Sequence, residues 1–390
     1  MKAHRHDQHR VGALLVGFVL YSSLLAAQTP AHLTVPFGNG TTQLNEPAVP
    51  PDRLELVTGD AQPVVDANER AETVKLVADA RKHSNVRVQP YDLKTSFSAL
   101  GTGSSDGSWD LEDVSPGPNV YRWTADGPGY SAVHLSLNRV WYSNRSTNAL
   151  PVRLAQVRAA IFFTQQSLGP RASVRRASGN LDGVDLSCVL VAHNMMGKAI
   201  SGGRSWDEAE YCVDSKRNTI ATYSPLPGLY VRYDYANAIQ FHQTLVPAKS
   251  TISQAGQIIV EARTISVTDP AKDEAPFQPA GLNKIGVGPA MSPPWHYHAQ
   301  VPMPNGVPAD HPQIVVVHGM QSPKGRLGDT ELIASSNPSL NNSALQYASK
   351  WKAGPMGAVV EPGATPQSHQ VFLTLQYMPQ QNKQGVSSGQ

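Results

Sequence analysis

Between Tyr91 and Val267 apolar and polar residues alternate with a period of two, and one helical stretch interrupts them. The runs "YDLKTSFSAL", "SWDLEDV", "NVYRWTADG" and "YSAVHLSLNRVWYS" precede the break. "GVDLSCVLVA", "AEYCVDSKRNTIATYS", "GLYVRYDYANAIQFHQTLV" and "QIIVEARTISV" follow it. Successive side chains of a strand point to opposite faces, so each run reads as a half-buried strand. Gly, Pro and Asn separate the runs, and Lys216-Arg217-Asn218 reads as a hairpin turn. The segment predicts an antiparallel meander.

Two helices accompany it. In "DANERAETVKLVADARKH", Asp66 and Glu69 make a capping box, and Ala67, Ala71, Val74 and Ala78 share a face. In "PVRLAQVRAAIFFTQQS", Pro151 takes the first position and Leu154, Val157 and Ile161 mark the buried side. Trp109, Trp123, Trp141, Trp206, Tyr130, Tyr230 and Tyr233 lie on or beside the meander. They either form the core of a large twisted sheet or line a cavity between sheet and helices.

Charged residues make up only 16% of the chain, and Gly and Pro contribute 31 each. So few charges and so many turn residues fit a β-rich protein outside the cytoplasm. The start of the chain agrees. Lys2, Arg5 and Arg10 precede an apolar run from Val11 to Leu25, and Ala26-Ala27 offers a cleavage site. This is the layout of a secretory signal over residues 1–27, which implies a periplasmic location. Retention of residues 11–27 as an inner-membrane anchor is the alternative, and only then does the chain contact a membrane. Cleavage would remove three of 32 Lys/Arg and one of 30 Asp/Glu, leaving 29 of each. That balance lacks the basic footprint of a nucleic-acid binder. In an oxidising compartment Cys188 and Cys212, on neighbouring strand-like runs, are expected to form a disulfide.

The expected organisation is a signal at 1–27, a linker at 28–60 and an antiparallel β-rich domain at 61–268. A Pro-rich linker at 269–305, a small domain at 306–380 and a polar, disordered tail at 381–390 complete it. The fold class is α+β. In the small domain a strand "QIVVVHG" is followed by a turn at Pro323-Lys324-Gly325 and a returning strand "RLGDTELIAS". A helix capped by Asn337-Pro338 carries Leu340, Ala344, Ala348 and Trp351 on one stripe, and a strand "QVFLTLQYM" closes the unit.

Catalytic patterns fare poorly. Gly103 to Gly107 match G-x-S-x-G around Ser105, and His318-Gly319 could enter an oxyanion hole. A nucleophile elbow needs a helix after the serine, and "SWDLEDVSPGP" is a strand and a turn. His296 and His298 share a strand face but have no third ligand nearby. Asp207 and Glu208 would point to opposite faces, with Glu210 beyond. No catalytic, cofactor or metal site is read, and the protein is expected to be non-enzymatic.

The order strand, strand, helix, strand, with Gly325-Arg326, Ser336-Asn337-Pro338 and Lys350-Trp351-Lys352, resembles the C-terminal domain of the TonB family. The resemblance implies that an envelope protein, such as an outer-membrane receptor segment, is bound by strand addition. The edge offered would be the last strand, with Val371, Leu373, Leu375 and Tyr377, and Trp351 would be structural core. The β-rich domain is similar, in architecture alone, to periplasmic lipoprotein-localisation carriers. Those hold acyl chains in a concave sheet. A carrier role of this kind calls for an apolar cavity of several hundred cubic ångströms, roughly the usual size of a ligand site.

Overall fold

The computed structural model describes residues 34–37, 40–43, 61–101, 103–146, 150–162, 172–192, 208–226, 228–273, 275–285, 295–307, 313–352 and 369–379. The signal, most of the first linker, the tail, Trp206 and Asp207 lie outside them. Strands β1 (Thr34–Phe37) and β2 (Gly40–Gln43) pair with each other. Then come β3 (Gln62–Pro63), helix α1 (Ala67–Ser84), β4 (Tyr91–Ala99), β5 (Gly107–Gly117), β6 (Val120–Gly127), β7 (Tyr130–Leu137) and β8 (Val140–Ser143). Helix α2 (Val152–Phe162) is followed by β9 (Ser173–Leu181), β10 (Val184–Ala192), β11 (Glu208–Asp214), β12 (Thr219–Leu226) and β13 (Leu229–Asp234). Next are β14 (Ile239–Phe241), β15 (Thr244–Val246), β16 (Lys249–Gln254), β17 (Gln257–Thr268) and β18 (Asn283–Ile285). The chain ends with β19 (Trp295–Pro302), β20 (Gln313–Gln321), β21 (Leu327–Ser335), α3 (Asn341–Lys350) and β22 (His369–Met378).

The fold is α+β, strand-rich and mostly antiparallel. One sheet of fourteen strands runs β18-β8-β7-β6-β5-β4-β17-β16-β13-β12-β11-β10-β9-β3. Short turns set its register. Asn138-Arg139 and Ala255-Gly256 each place two residues at positive φ between paired strands, as tight hairpins demand. At Gly127 a Cβ would lie 2.1 Å from the indole of Trp109, so only glycine lets that ring lie against the strand. Phe97 stacks on the same indole at 5.5 Å.

Helix α1 is capped by Asp66, which accepts from the backbone of Asn68 and Glu69, while the Glu69 carboxylate turns to Arg176 instead of closing the expected box. Its buried stripe is displaced from the expected one. Thr73, Val77, Ala80 and Ser84 face the sheet, while Ala67 and Ala71 are exposed. The hydroxyls of Thr73 and Ser84 donate to the carbonyls of Glu69 and Ala80, which removes the cost of burying them.

Cys188 and Cys212 lie directly opposite each other on β10 and β11 and are joined by a disulfide. It closes a loop of 24 residues. A Cys188→Ser/Cys212→Ser variant should lose roughly 3 kcal/mol of stability on chain-entropy grounds, read as a lower denaturation midpoint. An unshifted midpoint would mean that the ladder alone holds the strands.

The second sheet has the order β19-β22-β20-β21. Two expectations are corrected here. Residues 269–305 are not a plain linker, because β18 joins the large sheet and β19 pairs in parallel with β22. In β19 the prolines flank an alternating run instead of interrupting it, as Pro must in a strand. The last unit is therefore a four-stranded, mixed sheet with one helix. Moreover β22 is not an edge. Val371, Leu373, Leu375 and Tyr377 lie between β19 and β20, with both sets of backbone groups engaged. The extra parallel strand takes the side expected to be open.

Both faces of this sheet are covered. Leu340, Ala344, Ala348 and Trp351 pack on Val315, Val317, Leu373 and Leu375 from the α3 side. Trp351 is 5% exposed and rests 5.0 Å from the Tyr297 ring. From the other side Ile314, Val316, Ile333 and Phe372 join the core of the large sheet. That double burial explains the unbroken run Gln313 to Gly319, all of it buried.

Candidate functional site

Helix α2 is the centre of the site. Nine of its eleven residues are buried, among them Arg153, Gln156 and Arg158. The sheet curls around it. Arg158 reaches Asp113 on β5, Gln156 reaches Gln254 on β16, and the Tyr233 hydroxyl on β13 donates to the Ala160 carbonyl at 2.7 Å. From β5 to β13 is four strand spacings, about 19 Å if flat, against about 10 Å for a helix with side chains. One helix meets both strands because the sheet is a trough with α2 in it.

Two arginines fasten α2. Arg153 bonds Asp106 in the β4–β5 loop at 2.7 Å and the Ile333 carbonyl on β21 at 3.2 Å. Arg158 bonds both oxygens of Asp113, at 3.0 and 2.9 Å, and donates to the Tyr121 hydroxyl, which donates in turn to Asp113. Arg158 also lies 4.1 Å over Trp123, whose ring stacks on His134 at 4.2 Å. Both ring nitrogens of His134, the Trp123 Nε1 and the Tyr91 hydroxyl are buried without a hydrogen-bond partner among the described residues.

A second set of polar contacts ties the β4–β5 loop and the segment before α2 to the second sheet. Ser104 donates from its backbone and its hydroxyl to Glu331, which also bonds His318 at 3.0 Å. Gln370 on β22 donates to the Leu150 carbonyl just before α2. Beside the C-terminal end of α2 a cavity of about 30 Å³ is lined by Val86, Leu93, Ile161, Tyr233 and Ala262. This is room for one or two waters, far short of the several hundred cubic ångströms a bound lipid needs.

The titratable groups make the fold acid-sensitive. Burial, and then Arg158, hold His134 down at about 4, and burial alone holds His296 at about 3. A histidine with a lowered pKa contributes stability in full above its ordinary 6.5 and loses it as pH falls towards the folded value. The His318 hydrogen bond holds Glu331 at about 2, so its contribution is full above 4.5 and fades towards 2. The melting temperature should be flat above pH 6.5, then fall first through the histidines and later through Glu331. His134→Phe should flatten the upper part of that slope, and a slope unchanged in this variant would refute the assignment.

The other residues weighed from sequence are scattered. Ser105 is buried in a hairpin loop, where its carbonyl accepts from Trp109 Nε1 at 3.0 Å, and no helix follows it directly. His318 points to Glu331. His296 packs on Phe372 at 5.1 Å. Glu208 pairs with Arg175 at 2.6 Å across the β9–β11 region. Trp109 and Trp123 are core, while Trp141, Tyr130 and Tyr230 are half-buried. Asp113, Tyr121, His134, Arg153 and Arg158 were missed. The signal was available: Trp109, Leu111 and Asp113 share the inward face of β5, so a carboxylate stood at a core position. Two arginines and a glutamine in the otherwise apolar "VRLAQVRAAIF" were its counterpart.

No helix among the described residues is long and apolar enough to cross a membrane. No family model matches the sequence, and no curated protein matches it. Among solved structures, the chain is similar to a LolA superfamily protein from Nitrosomonas europaea, with 10% identity, a TM-score of 0.35, 53% of this chain and 97% of that one covered. It is similar to an outer membrane lipoprotein-sorting protein domain from Vibrio parahaemolyticus at 11% identity and a TM-score of 0.32, covering 52% and 95%. It is also similar to LprF from Mycobacterium bovis at 11% identity and a TM-score of 0.23, covering 55% and 97%.

Proposed function

We propose that the protein is a non-enzymatic carrier of an apolar ligand, such as a lipid or the acyl chains of a lipoprotein, in the cell envelope. The ligand occupies the trough that α2 fills in the closed form. The observation that carries this reading is the way α2 is held. A helix buried on nearly every side is ordinarily apolar all round. This one spends two core positions on Arg153 and Arg158, each in a buried ion pair. Buried ion pairs add little stability over well-packed apolar residues of the same volume. They do change the cost of leaving. When α2 swings out, both guanidiniums and both carboxylates regain water, and the exposed apolar wall of the trough is covered by the ligand. Opening and loading are thus coupled.

The test is lipid analysis of the full chain purified natively from an envelope fraction, with titration by an apolar fluorescent dye. Ala262 lines the cavity and is 3% exposed. We expect a co-purified lipid, and dye binding that Ala262→Leu weakens about tenfold. Absence of lipid together with dye binding indifferent to Ala262→Leu would sink the reading.

A further inference from the structure

We propose that the carried ligand is amphipathic, with an anionic head taken by Arg87 and Arg158 at the C-terminal end of α2 and its chain in the adjoining cavity. This inference rests on the carrier reading and specifies the ligand. The guanidiniums of Arg87 and Arg158 lie 5.3 and 5.4 Å from the centroid of the same ring, Phe162. Arg87 also lies 5.6 Å over Tyr121, the phenol that bridges Arg158 and Asp113. Arg158 is matched by Asp113, whereas Arg87 has no carboxylate partner among the described residues. The cluster therefore carries one positive charge in excess, that of the exposed Arg87 at the edge of a wall of aromatic rings. One anionic oxygen group would neutralise it.

Donors for such a group are already in place. The Tyr91 hydroxyl, the Trp123 Nε1 and a His134 ring nitrogen are each in side chains at most 1% exposed, and none has a hydrogen-bond partner among the described residues. Tyr91 lies 6.3 Å from Phe162, and Trp123 lies under Arg158. Buried donors left unmatched cost free energy, and a site retains them where an acceptor arrives. The cavity, lined by Thr95, Ser250 and Arg263 as well as by apolar side chains, is contiguous with this cluster. Val86 precedes Arg87, Ile161 precedes Phe162, and Leu93 on β4 is paired with Asp113 on β5. Displacement of α2 frees Arg158 from Asp113, so that its guanidinium, with Arg87, can take the head as the chain enters that cavity. A carboxylate and a phosphate monoester offer the same chemistry here.

The experiment is fluorescence titration of the full chain, since Trp123 stacks against Arg158 and reports occupancy. The probes are palmitate, hexadecanol, monododecyl phosphate and inorganic phosphate. Palmitate or monododecyl phosphate should bind at least tenfold tighter than hexadecanol, the stronger of the two identifying the head. Arg87→Gln, at an exposed position, should remove most of that preference and leave hexadecanol unchanged. Asp113→Asn/Arg158→Met, which deletes the pair and keeps the charge of Arg87, should reduce the preference less than Arg87→Gln does. Equal binding of palmitate and hexadecanol, or a preference untouched by both variants, would overturn the anionic head while the carrier stands. Binding of inorganic phosphate without any chain-bearing probe would overturn the amphipathic ligand. Failure of all four probes would bring down the carrier reading as well.

Discussion

Arg158→Met should destabilise the chain by about 3–5 kcal/mol, because removing one partner leaves the Asp113 carboxylate buried and uncompensated. Asp113 is 0% exposed, and its remaining contact would be the Tyr121 hydroxyl. The variant also loses the guanidinium lying over Trp123. Denaturant titration measures the loss. Asp113→Asn in the same background should restore most of it, since a neutral amide can share a bond with Tyr121 and methionine fills the volume. Recovery distinguishes an electrostatic cause from a packing one. If the single variant is as stable as the native chain, α2 does not depend on this pair, and its role as a polar fastening disappears.

The second large effect is expected at the far end of the molecule. Trp351→Ala should cost about 3–5 kcal/mol, the usual range for truncating a buried aromatic. The indole sits at the C-terminus of α3 against Tyr297, with Leu340, Ala344 and Ala348 in the same cluster. Trp351→Phe should cost much less by keeping a ring there. The measurement belongs on the whole chain, because the opposite face of this sheet lies in the core of the large one. A midpoint unchanged in Trp351→Ala would show that α3 is held by other contacts.

Local signals were read well from sequence where local physics decides them. Alternation in β4 to β7, the turn after Asp214, the cap at Asp66 and the Asn337 cap, which falls on a short 3-10 turn (Pro338–Leu340) leading into α3, follow from backbone sterics and short hydrogen bonds. What was missed depends on long-range arrangement. Nothing near Trp295 announces that it pairs with Val371, so β19 read as a spacer and β22 as an edge. The stripe on α1 was chosen by hydrophobicity, but Thr73 and Ser84 are buried because their hydroxyls bond their own helix. The candidate site was legible only as an anomaly. Asp113 at an inward position asked for a cation, and which arginine answered is a matter of how the sheet curls.

The two-faced sheet has a consequence for biogenesis. Its strands β20, β21 and β22 form after everything up to Thr268 has already emerged, yet Ile314, Val316 and Phe372 complete the core begun at Phe97 and Trp109. A chain made from its N-terminus passes through a stage in which the curved sheet is assembled and its mouth stands uncovered. Contacts spanning so many residues form slowly and leave apolar surface exposed while they do. That interval is when a holding chaperone would find the molecule most receptive.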